Sequence, residues 1–391
     1  MADVCLATPL HPTNEHRHNS MARKRILAIL ASCDFEGVWR QCSWLSENLP
    51  AEEFDVRFAL LSGKQADVEL LEETGLPVYL VGSGRRSEPL IIWPLIQLIK
   101  QQQPDLVHCW DSTATLYGPL AAWMTGRQTV FCNIWQSMEL NEFWKKSIQW
   151  LSKRQIKKMI VPNRTLIKSD SMLEQLREET VEIIPPGISH QDKPATDRKH
   201  ILAELGVPEN SQLIAASDPM ESMSPLRKII WATELLKVAG HNVQVFICGK
   251  GHKRQAIENF RNQIQLEDQI HFLADRYLIQ QLMDHLDIFW QLGGTQGKSV
   301  IPPVEAMRRA IPVIADISAT HRELLQHEKT GILVPCDDPA SLASWTQHLL
   351  EDPEQRRSIG VNGQRAIENQ FEQESTLAAM TKLYRQSFDG D

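Results

Sequence analysis

Asp287-Ile288-Phe289-Trp290, then Gln296-Gly297-Lys298-Ser299-Val300-Ile301-Pro302-Pro303-Val304-Glu305-Ala306-Met307, then Ile311-Pro312-Val313-Ile314-Ala315: these three pieces of the segment Asp287–Pro335 decide the fold. The first reads as a buried strand. Gly293, Gly294 and Gly297 form a flexible loop, and two prolines open a helix that ends before Pro312. A strand, a loop and a helix start in that order turn backbone N–H groups and the positive end of the helix dipole outward, where an anion is the natural occupant. A plain βα turn is the other reading of the same local pattern.

Working outward, Glu305-Ala306-Met307, the Pro-Val-Ile strand, Glu323-Leu324 and Thr330-Gly331-Ile332-Leu333-Val334-Pro335 resemble the C-terminal half of the family-four (group 1) retaining glycosyltransferases of the GT-B fold. The resemblance runs on through Asp337-Asp338-Pro339 and Leu349-Leu350-Glu351-Asp352-Pro353 to the last helix. It implies an α/β chain of two Rossmann-like domains, with parallel sheets facing across a cleft and a C-terminal helix crossing back to the first domain. The implied reaction moves a hexosyl-type sugar from a nucleotide-sugar donor to an acceptor hydroxyl with retention. No metal and no cofactor beyond that substrate is implied, and the acceptor is a saccharide or is lipid-linked. On the matching positions Glu305 holds the donor ribose and Gln296 faces the donor sugar. The backbone after Gly297, from Lys298 through Ser299 and Val300, holds the diphosphate.

Composition bounds the alternatives. The 391 residues leave room for two core-forming domains, and 42% apolar with 23% charged is ordinary for a soluble globular protein. A net charge of −8 argues against a nucleic-acid surface, which needs clustered Lys and Arg. Seven cysteines without a Cys-x-x-Cys pair read as reduced thiols of a cytosolic protein. The longest apolar run, Pro89–Ile99, is broken by Pro94 and Gln97 and is too short to span a bilayer. Glu139–Lys158 reads as a basic helix carrying Lys145, Lys146, Lys153, Arg154, Lys157 and Lys158 around Phe143, Trp144 and Trp150. Such a face either lies on an anionic membrane surface or is simply solvated. The expected location is therefore cytoplasmic, with peripheral contact at the inner membrane face as its extension.

In chain order, residues 1–22 are polar and His-rich and read as a disordered leader, with Met21 as another start. Residues 23–190 form the acceptor-side domain. Its strands are expected at Ile26–Ala31, Val56–Leu61, Val78–Val81, Leu106–Cys109 and Thr129–Cys132, with helices at Val38–Leu49, Leu90–Gln102 and Ala114–Thr125. Ligands of such sheets sit beyond the strands' carboxyl ends, here Ser32–Gly37 and His108–Asp111. Pro104–Asp111 resembles the family's Asp-Val-Val-His-x-His stretch, which implies that His108 faces the acceptor. Trp110 or Asp111 stands at the second histidine's place, and Asp111 can act as a base. A hydrogen-bonded structural histidine is the other reading of His108. Gly37 matches the second of the family's paired loop glycines, while Glu36 replaces the first and puts a carboxylate where phosphate is expected.

Val181–Ile188 resembles the exit from the first domain, and 191–197 reads as a linker. The donor-binding domain is placed at 198–370 and the crossing helix at 371–391, with Leu377, Met380, Leu383 and Tyr384 as its apolar stripe. Gly249-Lys250-Gly251 is similar to the family's Gly-x-Gly turn beside the donor nucleotide, and a tight βα turn explains it equally. Two departures stand out. Ser217-Asp218 and Ser224-Pro225 occupy the places of Gly-Arg and Lys-Gly, whose charges neutralise the leaving diphosphate, a loss of roughly several kcal/mol at the transition state. Arg227 and Lys228 are expected to reach in, with Lys298 from the other side, unless they are surface charges. Gln296 is neutral where a glutamate is usual, and its spacing to Glu305 is one residue longer. A catalytically silent homologue binding a sugar, nucleotide or protein partner, or a sugar-nucleotide epimerase of the same fold, are the rival readings.

Overall fold

The computed structural model describes residues 23–33, 37–62, 65–82, 91–127, 129–135, 150, 155–169, 171–174, 176–187, 197–218, 220–274, 276–293, 299–368 and 370–388. The chain divides into two compact units, one running to Gly187 and resuming at Gln373, the other Ile188–Glu372.

The first unit is built on a wholly parallel sheet ordered β3-β2-β1-β4-β5-β6-β7. Its strands are β1 (Lys24–Leu30), β2 (Phe54–Leu60), β3 (Val78–Leu80), β4 (Leu106–Cys109), β5 (Val130–Asn133), β6 (Ile156–Val161) and β7 (Val181–Ile183). Ile26–Leu30 and Leu106–Cys109 are continuous buried runs, as strands covered on both faces must be. The strand order reverses between β1 and β4, so the crevice of this sheet lies at their carboxyl ends.

β6 corrects the expectation of a basic helix reaching Lys158. Ile156, Met159, Ile160 and Val161 are buried, and the two lysines between them are bound at the sheet's margin. Lys157 donates to the Ser387 carbonyl at 2.9 Å, and Lys158 pairs with Glu182 on β7 and donates to the Glu179 carbonyl. Burial of the apolar positions outweighs the helical spacing of the charges. Residues 139–149 and 151–154 of that stretch, the 1–22 leader and nearly all of the linker lie outside the described residues.

The second unit carries a parallel sheet ordered β10-β9-β8-β11-β12-β13, again with a reversal, between β8 and β11. These strands are β8 (Gln212–Ser217), β9 (Val243–Cys248), β10 (Ile270–Leu273), β11 (Ile288–Gln291), β12 (Val313–Asp316) and β13 (Ile332–Val334). Ile214, Val245, Trp290, Ile314 and Ile332 form one core layer with helices Met223–Val238 and Pro339–Glu351.

Helix Gln373–Phe388 belongs to the first unit. Its Met380, Leu383 and Tyr384 are buried, and the Tyr384 ring stacks on Phe131 at 5.8 Å and tilts against Phe54. Arg385 pairs with Glu53 at 2.6 Å, and Thr376 donates to the Pro185 carbonyl at 3.0 Å. Among the described residues no helix is long and apolar enough to cross a membrane.

Candidate functional site

At the reversal of the first sheet, Asp111 follows β4 and caps helix Ser112–Met124. Its Oδ1 accepts from the Ala114 N–H at 2.8 Å, and its Oδ2 accepts from the Ala31 N–H beyond β1. A carboxylate with both oxygens held by backbone amides ties the two strand ends together, which differs from the expected role as a base. Gly37, at φ 78°, caps helix Val38–Asn48 in a left-handed conformation that side chains resist.

His108 follows the second of its two readings, the hydrogen-bonded structural histidine. It is fully buried, and its Nε2 faces Asn133 Oδ1 at 2.9 Å, which can only accept, so Nε2 carries the proton. Nδ1 then accepts from the Tyr384 hydroxyl at 2.7 Å. Burial pushes its pKa down from 6.5 to about 4, against a smaller upward pull from Asn133. The imidazole is thus a neutral bolt between β4, β5 and the returning helix. At this edge a small crevice, with room for about one water, is lined by Trp44, Trp110, Asn133, Trp135, Thr376 and Met380, among others. The Trp110 and Trp135 rings stack at 6.3 Å, and Trp135 Nε1 donates to the Trp110 carbonyl.

The buried neutral imidazole carries a pH prediction. Above pH 6.5 His108 is neutral in both folded and unfolded chains and has no effect. Between there and its folded value of about 4 the unfolded chain takes up the proton first, so stability falls as pH falls. The loss is expected to reach about 2 kcal/mol at pH 5, read from urea unfolding, and His108→Gln should flatten that slope.

In the second unit the expected residues gather at the carboxyl ends of the strands. Asp218 follows β8, is 2% exposed, and accepts from the Met220 N–H at 2.7 Å. Met220 is held at φ 52°, and its carbonyl accepts from the Lys253 N–H. The loops after β8 and β9 are joined again by Glu221 and His252 at 2.7 Å. Gly249, at φ 150°, donates to the Leu273 carbonyl, and the Gly251 carbonyl receives Arg254 N–H.

Helix Ile301–Arg308 begins two residues after the loop that follows β11. Its start is poor in donors. Pro302 and Pro303 have no N–H, Ile301 N–H goes to Ser299 Oγ at 3.3 Å, and Val304 N–H goes to the Val300 carbonyl. Among the described residues no acceptor is given for the amides of Ser299 and Val300. From Ile301 to Met307 every residue is buried except Glu305, which keeps partial access. Gln296, Gly297 and Lys298, like Glu36, lie outside the described residues.

Lys228 is not at the disposal of a phosphate. It is 5% exposed, its ammonium pairs with Asp316, and it donates to the Pro335 carbonyl at 2.7 Å. Asp316, 1% exposed at the end of β12, accepts on its other oxygen from the Gly293 N–H at 3.0 Å. Arg227 is exposed and lies over the Phe260 ring at 5.6 Å. Among the described residues no group of three or more His, Cys, Asp or Glu is placed to hold a metal ion.

The family model for Glycosyltransferase Family 4 matches residues 35–192, and that for Glycosyl transferases group 1 matches residues 197–366. The chain belongs to the group 1, family 4 glycosyltransferases. Rhizobium meliloti LpsD, a lipopolysaccharide core biosynthesis glycosyltransferase, is 20% identical over 336 residues, which is 81% of this chain and 85% of LpsD. Anabaena HepE, solved in complex with UDP-glucose, matches with a TM-score of 0.77 at 19% identity, over 93% of this chain and 99% of HepE. A glycosyltransferase from Rickettsia africae matches at 0.73 and 16% identity, over 95% of this chain and 100% of its own. These structures share the GT-B fold.

In this glycosyltransferase the sequence reading named strand ends but missed the partners. Asn133 and Tyr384, which hold His108, lie 25 and 276 residues away, and no local pattern links them. Asp316 is invisible for the same reason, being 88 residues from Lys228.

Proposed function

We propose that this glycosyltransferase moves a hexose from a nucleoside-diphosphate donor to an acceptor hydroxyl, with retention and without a divalent ion. The observation that carries the donor half is Glu305. It is the one residue with solvent access between Ile301 and Met307 in an otherwise buried helix, at the sheet reversal where ligands of open α/β sheets bind. A partly shielded carboxylate there accepts hydrogen bonds from the two ribose hydroxyls, and the amides of Ser299 and Val300 face the diphosphate. Gly249 and Gly251 let the backbone approach the nucleotide, and Gln296, Gly297 and Lys298 complete the sugar and phosphate contacts.

The acceptor is a saccharide or a lipid-linked saccharide, in keeping with the lipopolysaccharide core role named for LpsD. The site of action is cytoplasmic, with peripheral contact at the membrane face where such acceptors are presented.

A second reading is favoured by one observation. The commitment of Lys228 to Asp316, together with the negative charge of Asp218, leaves the leaving diphosphate little positive charge among the described residues. A homologue that binds a nucleotide sugar without turning it over fits that ledger.

Calorimetric titration with UDP, GDP and ADP tests the proposal. Micromolar binding of at least one is expected, weakened about 10- to 100-fold by Glu305→Ala, the worth of charge-assisted hydrogen bonds. Sugar transfer to an acceptor in EDTA separates the enzyme from the silent homologue. No binding of any of the three nucleotides would overturn both.

A further inference from the structure

The last residue of β11 carries a buried side-chain oxygen that no described residue meets. Gln291 is 1% exposed, and its Oε1 has no hydrogen-bond partner among the described residues. Along β11, Ile288 and Trp290 join the core layer shared with helices Met223–Val238 and Pro339–Glu351. Alternation turns Phe289 and Gln291 to the opposite face. Helix Ile301–Arg308 packs on β11 and β12 and gives no residue to that layer, so it covers the face that Gln291 enters. Gln291 therefore lies at the strand end of the sheet reversal, on the sheet face covered by the helix that carries Glu305. Two residues on, Gly293 is pinned by Asp316, which fixes the strand's exit.

A buried acceptor left unmet lowers stability, so its presence calls for a partner that the described residues do not supply. An ionised diphosphate has no proton to donate and cannot be that partner. On either side of a diphosphate at this helix start stand the ribose and the transferred sugar, both rich in hydroxyl donors. Resting on the donor site proposed above, we infer that Gln291 is a specificity-determining residue whose carbonyl oxygen accepts a hydrogen bond from a hydroxyl of the nucleotide sugar.

The test is Gln291→Leu, similar in size and without the amide. Removing an unmet polar group should raise the melting temperature by about 2–4 °C. The same change should weaken calorimetric binding of UDP-glucose, UDP-N-acetylglucosamine or GDP-mannose, whichever the wild type holds best, by about tenfold. A loss seen also with the bare nucleoside diphosphate places the hydroxyl on the ribose; a loss confined to the nucleotide sugar places it on the transferred sugar. Unchanged affinity, or a lowered melting temperature, would overturn the inference. With Glu305→Ala still weakening binding, that failure leaves the donor site standing; if the wild type binds none of these compounds, both fall.

Discussion

Lys228→Met is expected to destabilise the second unit by about 3–5 kcal/mol, measured by urea unfolding at neutral pH. Lys228 and Asp316 are 5% and 1% exposed, so neither charge is solvated. Methionine fills the space of the lysine stem but leaves the Asp316 carboxylate buried without the ammonium that compensates its charge. Removing one partner of a buried pair costs more than removing both, because the survivor keeps its charge without compensation. Lys228→Met with Asp316→Asn should therefore recover most of the loss, since a neutral amide still offers an oxygen to Gly293. A double-mutant cycle that gave additive effects would contradict the pairing. The same variant separates structure from phosphate binding. At a temperature where the folded state is fully populated, Lys228→Met should weaken nucleoside-diphosphate binding less than Glu305→Ala does. An equal or larger loss would return Lys228 to the donor phosphates.

That pair shows where sequence reading stops. The continuous apolar runs Ile26–Leu30 and Val243–Cys248 are legible because parallel strands are buried on both faces, and so they name themselves. The strand-loop-helix text from Asp287 to Met307 is legible for the same reason, and the residues around it carry the family. Asp111 shows the opposite side of the same logic. An Asp directly before Ser112-Thr113-Ala114 is a helix cap by local pattern, and the structure spends both its oxygens on backbone amides. β6 was hidden because Lys157 and Lys158 interrupt its apolar run, and only the acceptors at Ser387, Glu179 and Glu182 make a lysine pair tolerable in a strand. His108 was left between two readings and Lys228 misplaced for a common reason: their partners come from other elements, and burial, which decides whether a titratable group is a tool or a bolt, is a property of the packed chain.

Gly360→Ala is expected to lower stability by about 3 kcal/mol even though alanine is the better helix former by about 1 kcal/mol. A Cβ on Gly360 would stand 1.9 Å from the Ala310 carbonyl oxygen and 2.8 Å from its carbon. Neither neighbour can rotate away, since both are backbone, and Ala310 is itself held at φ 56° in the turn that ends helix Ile301–Arg308. One turn on, a Cβ on Gly363 would stand 2.8 Å from the Thr330 carbonyl, so helix Pro353–Glu368 lies against the chain along this whole edge. To admit a methyl group the helix must shift by about 1 Å or more, a distance that close-packed interiors resist. Ser358→Ala, at an exposed position of the same helix, gains helix propensity without a clash and should stabilise by a few tenths of a kcal/mol. Opposite signs for two alanines in one helix, read from the same unfolding curves, isolate the close approach from propensity. Because the turn at Ala310 anchors the helix that presents Glu305, Gly360→Ala should also weaken nucleoside-diphosphate binding in protein that is still folded. Ser358→Ala should leave it unchanged, and a Gly360→Ala chain with wild-type stability would mean that the helix does not sit where the Ala310 carbonyl places it.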